Sequence, residues 1–192
     1  MNMYGFQTMG EFRALLSLYN IGVEEVRGIR AGKPYRGLVY MALDGRGGKV
    51  EMPPIKASVI KGVGIDALEK QMERSGTRLE KEQNRKKVRD RMAAAFENAP
   101  TEETLRKRLR AVNIDLFLRR NDAGRITGVT FIDHENRCVM NGSRLGKEFS
   151  ANVLNEKYQA GKNTASDPHG VSNVKFKTDK TKKEKRPNRR KI

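Results

Sequence analysis

Apolar residues along the chain alternate between two spacings, one of three to four residues and one of two. Phe12, Leu15, Leu16 and Tyr19 keep the helical spacing, and the chain passes from them through Asn20-Ile21-Gly22-Val23 to a strand-like Gly37-Leu38-Val39-Tyr40. Lys49-Val50 and Ile55-Lys56-Ala57-Ser58 follow. The same order then returns: Leu105, Leu109 and Val112 at helical spacing, Asn113-Ile114-Asp115-Leu116, Gly128-Val129-Thr130-Phe131, Arg137-Cys138-Val139, and Asn141-Gly142-Ser143. The offset between matched positions slips from 93 (Asn20 to Asn113) to 91 (Gly37 to Gly128) to 89 (Val50 to Val139), as loops of unequal length produce. The chain is therefore read as an internal duplication, each copy running helix, strand, strand, strand.

Local chemistry sharpens those elements. Thr101 followed by Glu102 and Glu103 is an N-cap with acids in the first turn, which predicts a helix over 101–112. The runs at 37–43 and 128–133 are short, β-branched and aromatic, and are bounded by glycine or aspartate, which predicts half-buried antiparallel strands. Asp44-Gly45 and Asp133-His134-Glu135-Asn136 then act as hairpin turns. Between the copies, Ala67, Leu68 and Met72 share a helical face before Gly76, and Thr77 with Glu80 three residues on reads as a capping box that restarts the helix. Between Leu79 and Val88 there is no apolar residue, so this stretch reads as an exposed connector until Met92 to Phe96 give it something to bury. The expected fold is α+β: two small helix-plus-antiparallel-sheet units at 4–63 and 100–158, joined by a long charged helix within 64–99.

Composition adds a polyelectrolyte to that picture. The 192 residues include 40 Lys or Arg against 23 Asp or Glu, a formal charge of +17, and only 36% are apolar. The mean hydropathy is −0.75 and the pI near 10.2. Such a charge calls for a polyanionic partner, and so little apolar material fills one modest core or two small ones. Residues 159–192 hold 11 Lys or Arg against 3 acids, nearly half of the net charge, with too few apolar side chains to offset the entropy of ordering. They read as a disordered basic arm. No apolar run approaches a membrane span and the first residues lack a signal-peptide pattern, so the expected location is the cytoplasm, with no membrane partner. A single cysteine, Cys138, and two histidines, His134 and His169, exclude a disulfide framework and a Cys/His zinc site; no metal or other cofactor is expected.

Two loops carry the candidate chemistry, each following the last strand of its copy and each bringing Gly, Ser and Lys together. They supply Lys56, Ser58 and Lys61 in one copy and Asn141, Ser143, Arg144 and Lys147 in the other. Backbone amides in such turns, beside hydroxyls and a cation, suit a phosphate oxygen. Equally, Asn141-Gly142 reads as a turn with Ser143 capping the next helix, and the two readings can coexist. Neither loop fits the P-loop pattern, so nucleotide hydrolysis is not indicated. Arg137 and the connector residues Arg85, Lys86, Lys87, Arg89 and Arg91 can track a nucleic-acid backbone, although Glu80, Glu82 and Asp90 are interleaved. Lys182, Lys183, Lys185, Arg186, Arg189, Arg190 and Lys191 of the arm supply sequence-independent attraction. His134 lies in a turn and His169 in the arm, the tyrosines have no histidine cluster beside them in sequence, and no Ser-His-Asp or His-Cys set can be assembled, so no catalytic residue is assigned.

The stretch GRITGVTFIDHENRCVMNGSRLGKEFSAN, from Gly124 to Asn152, resembles the region downstream of the nuclease domain in bacterial relaxase/mobilisation nuclease proteins of conjugative and mobilisable elements. TMGEFRALLSLYNI followed by YRGLVYMALDGRGGKVEMPPIKAS resembles the segment just after the catalytic core of those proteins, so the similarity spans about residues 4 to 158. Relaxases of this family nick one strand at a transfer origin with a tyrosine nucleophile and a His-x-His motif that holds a divalent metal. This sequence has no His-x-His. The resemblance thus implies DNA processing without nicking: a non-catalytic DNA-binding module that contacts the phosphate backbone of single-stranded or transfer-origin DNA. The alternative is an adaptor that docks a coupling protein or a separate nuclease subunit.

Overall fold

The computed structural model describes residues 3–79 and 82–158. Helix α1 (Met9–Ser17) opens with the capping box Thr8/Glu11. Asn20 follows in the left-handed region at φ 55°, turning the chain into a three-stranded antiparallel sheet ordered β1 (Ile21–Arg30), β2 (Lys33–Ala42), β3 (Ile55–Lys56). A single 3-10 turn (Ala57–Val59), helix α2 (Ile65–Leu79) and helix α3 (Glu82–Glu97) lead to the second copy. There α4 (Glu102–Ala111), capped by Thr101, precedes a second antiparallel sheet ordered β4 (Ile114–Arg120), β5 (Ile126–Asp133), β6 (Cys138–Asn141). The short α5 (Gly142–Leu145), a 3-10 turn (Lys147–Phe149) and α6 (Ala151–Tyr158) close the described chain.

The duplication extends to single hydrogen bonds. Asn113 repeats the left-handed conformation of Asn20, with φ 61°. Each asparagine carbonyl accepts from the residue just after the second strand, Leu43 N in the first copy (2.8 Å) and His134 N in the second (3.1 Å). Asparagine tolerates this backbone better than other side chains, which is why it stands at both junctions. The register departs from the sequence reading in the third strand. Tyr40 pairs with Ile55 and Phe131 with Met140, so the equivalent of Met140 is Ile55, not a residue of the Lys49-Val50 stretch. Lys49 forms only an isolated bridge to Leu43, because the Asp44 carboxylate gathers the amides of Arg46 and Gly48 into a compact turn before the chain reaches Pro53-Pro54.

The core is layered, and the two copies share it. One face of the second sheet, with Leu116, Leu118, Phe131 and Met140, packs on α3, α4 and α6. The opposite face, with Phe117, Ile132 and Val139, packs with Phe6, Phe12, Leu15, Val23 and Leu38 of the first copy. Helix α1 lies between, touching β1 on one side and β5 and β6 on the other. The second sheet is therefore covered on both faces rather than half-buried, which explains its near-continuous apolar strands. Gly5 adds a parallel bridge to Cys138 at the outer edge of β6, so the N-terminal segment is stitched to the second copy. Glu11 fastens the same junction: fully buried, it accepts from Gln7 N (2.6 Å), Thr8 N (3.2 Å) and Asn141 N (2.9 Å), and pairs with Arg144 at 3.3 Å.

The connector also differs from expectation. Helix α2 does not restart at Thr77 but runs through Gly76 and Thr77, because Leu68 anchors it in the first core and Leu79 in the second. Among the described side chains of the next helix, Val88 is buried ahead of Met92 and Ala95, and Ala99 just beyond the helix is buried with them. Residues 80 and 81 and the arm at 159–192 lie outside the described residues. Among the described residues, no helix is long and apolar enough to cross a membrane.

Candidate nucleic-acid interface

On the face of the second sheet that meets α1, the row Phe117, Thr130 and Asn141 runs across β4, β5 and β6. Helix α1 covers Ile132 and Val139 next to this row but stops short of the Arg119–Gly128 pair, leaving a groove of about 400 Å³. Gly10 and Arg13 of α1 form one wall. Ser143 of α5 and Ser150, Ala151 and Asn152 at the start of α6 form the other, and Arg119, Thr127 and Gly128 form the end. Among the described residues, no aspartate or glutamate lines it.

Its two arginines are held in place by backbone. Arg119 lies across Gly128, where a Cβ would come within 3.3 Å of its Nε, and donates to the hydroxyl and carbonyl of Thr127 at 3.3 Å each. Arg13 donates from Nε to the Val23 carbonyl at 3.1 Å. Burial pulls the Arg13 guanidinium below its ordinary pKa; Glu24 and Glu25 oppose that shift, and the positive charge of Arg119 adds to it. Two guanidiniums facing a groove without carboxylates, beside serine, threonine and asparagine side chains, make a concave surface that favours anionic oxygens.

Of the residues singled out in sequence, Asn141 and Ser143 line this groove. The Asn141 side chain accepts from Thr130 Oγ1 at 3.1 Å and does not cap α5; Ser143 lies inside α5, exposed, and is not its cap either. Gly142 is required by packing, since a Cβ there would sit 2.0 Å from the Phe149 carbonyl oxygen. Arg144 turns to Glu11 and borders a separate depression with Gln7, Thr8 and Gly76. Lys147 is exposed on the following turn. Lys56, Ser58 and Lys61 are exposed around the 3-10 turn of the first copy, outside the groove. Lys182, Lys183, Lys185, Arg186, Arg189, Arg190 and Lys191 lie outside the described residues. In the connector, Arg91 is engaged by Asp133, by Glu135 and by the Val112 carbonyl, so it holds the turn before β6 rather than facing a ligand. Arg13 and Arg119 were not evident in sequence, although the glycine opposite Arg119 marks a place where another group can approach.

One constellation corrects the sequence reading of the tyrosines. Tyr4 Oη lies 2.6 Å from His134 Nδ1, and His134 Nε2 lies 2.8 Å from Asp115 Oδ2. An ionised Asp115 can only accept, so Nε2 donates to it, and in the neutral imidazole Nδ1 then accepts from the phenol. The order matches a nucleophile, its base and an orienting acid. The electrostatics run the other way, because burial, Tyr19, Asp115 and Asp133 raise the Tyr4 phenol above its ordinary pKa and outweigh Arg137. The hydroxyl is held protonated, and the three side chains tie the N-terminal segment to the turn between β5 and β6.

Comparison with protein-family models, curated proteins and solved structures finds no match to this chain.

Proposed function

We propose that this chain is a non-catalytic DNA-binding module of a conjugative relaxase/mobilisation system, acting in the cytoplasm on single-stranded or transfer-origin DNA. The observation that carries the reading is the groove of Arg13 and Arg119, with its hydroxyl and amide lining and no carboxylate. The resemblance of residues 4 to 158 to relaxase sequences downstream of the nuclease domain supports it. In this reading, the charged helical region at 64–99 connects the two copies, and the basic residues at 159–192 supply long-range attraction to phosphates.

If groove, loops and arm together neutralise about six phosphates, log K falls with log salt at a slope of about −4 on a single strand and about −5 on a duplex. Fluorescence anisotropy with labelled oligonucleotides across a salt series measures this, and Arg119→Ala reduces the slope by about 1. Binding that does not respond to salt refutes the electrostatic reading. Metal-dependent nicking of supercoiled plasmid refutes the non-catalytic one.

A second reading, an adaptor for a coupling protein or a separate nuclease subunit, is favoured by the apolar side chains exposed between residues 50 and 60: Val50, Met52, Ile55, Val59 and Ile60. Replacing Met52 and Val59 by serine leaves DNA affinity unchanged on this reading and abolishes co-purification with the partner subunit.

A further inference from the structure

The hairpin of β1 and β2 outruns the body it grows from. Core contact ends at Val23 and Leu38, yet the strands stay paired to Arg30 and Lys33, and every residue from 29 to 36 is exposed. A two-residue turn closes the ribbon, with Ala31 at φ 51° and Gly32 at φ 75°, the left-handed pair whose twist suits a hairpin. Strand β3 pairs only with Val39 and Tyr40, so both edges of the projecting part are open. Between residues 26 and 37 the charged side chains are Arg27, Arg30, Lys33 and Arg36, with no acid among them.

Register sorts those cations onto two faces. Arg27 and Arg36 are direct cross-strand partners, and such a like-charge pair repels unless something neutralises it. Glu25 does so, accepting from Nε of each at 2.7 and 2.9 Å. Arg30 and Lys33 are also cross-strand partners and have no ion-pair partner among the described residues. Their face also carries Tyr35, whose ring lies over Gly28 so closely that a Cβ there would come within 2.6 Å of it. The glycine lets the aromatic ring lie flat and stiffens a ribbon that has no core of its own.

We propose that this ribbon enters the major groove of B-form DNA, with Arg30 and Lys33 leading. Four residue pairs and the turn project roughly 15 Å at about 3.4 Å per residue, and two strands about 5 Å apart with their side chains span roughly 10 Å. The B-DNA major groove is about 12 Å wide and 8.5 Å deep and admits a two-stranded ribbon, whereas the A-form RNA groove is too narrow. The inference rests on the nucleic-acid reading above and narrows its ligand to duplex DNA. Charges can also serve only to keep an open edge from pairing with another chain, and the experiment separates that role from groove binding.

The full chain and its Arg30→Ala/Lys33→Ala variant are titrated at physiological salt against one sequence as duplex DNA, as single-stranded DNA and as duplex RNA. Both side chains are exposed beyond the core, and matching circular dichroism and melting curves check that the variant folds. The expected result is a loss of tenfold or more on duplex DNA with less than twofold change on the other two ligands, and displacement of the wild type from duplex DNA by methyl green, a major-groove ligand. Duplex affinity unchanged in the variant, an equal loss on all three ligands, or displacement only by a minor-groove ligand overturns the inference while leaving the nucleic-acid reading in place. A wild-type chain that binds none of the three overturns both.

Discussion

Replacing Glu11 by alanine tests whether the two copies form one body. The carboxylate is fully buried and is the shared acceptor for three backbone amides, Gln7, Thr8 and Asn141, and for the Arg144 guanidinium. Removing it leaves a part-buried amide on β6 and a half-buried cation without their acceptor, and it strips the capping box from α1. Breaking a buried charge pair costs about 3–5 kcal/mol, and an unsatisfied buried amide about 1–3 kcal/mol, part of which the first figure already contains. A total of about 4 kcal/mol is a large share of the 5–15 kcal/mol of an ordinary domain and lowers Tm by roughly 8–16 °C at this chain length. Glu11→Gln keeps an acceptor oxygen and the side chain's shape and loses about half as much. Urea unfolding followed by circular dichroism reads both variants, and a double-mutant cycle with Arg144→Ala isolates the ion pair. A Glu11→Ala variant destabilised by less than about 1 kcal/mol refutes the argument, because the junction would then hold without its buried acceptor.

Two further predictions use other parts of the same core. Gly142→Ala drives a methyl group into the Phe149 carbonyl and costs about 3 kcal/mol or more, measured by thermal melting, whereas Ala57→Gly at the equivalent position of the first copy costs about 1 kcal/mol. Burial pushes the Tyr40 and Tyr158 phenols up to about 12, with Glu102 adding to the shift at Tyr158. Unfolded tyrosine ionises near 10, so the folded chain binds more protons between those values; stability is intact below pH about 10 and falls as pH rises toward 12. Phenolate absorbance against pH shows these two tyrosines ionising late and together with unfolding, and early ionisation of all five tyrosines refutes it.

The sequence by itself determined the duplication, the order of elements in each copy, the capped helix at Glu102–Ala111 and the two aspartate turns. These rest on local causes, namely spacing of apolar residues, caps and turn chemistry, which act within a few residues. It also pointed to Asn141 and Ser143, whose place after a strand is again a local property. The tertiary structure alone decided what those elements meet. Burial on both faces of the second sheet depends on α1 arriving from more than 100 residues away, and the Tyr4–His134 contact joins residues 130 apart. Arg13 and Arg119 share a groove only because α1 crosses one face of β5 and β6 and leaves the Arg119–Gly128 pair uncovered. The length of the β1–β2 ribbon escaped for a related reason: Arg27 to Arg36 bury nothing, so no apolar alternation announced them. Their strand conformation comes from cross-strand hydrogen bonds, a two-residue turn and the Tyr35–Gly28 contact, none of which a one-dimensional pattern records.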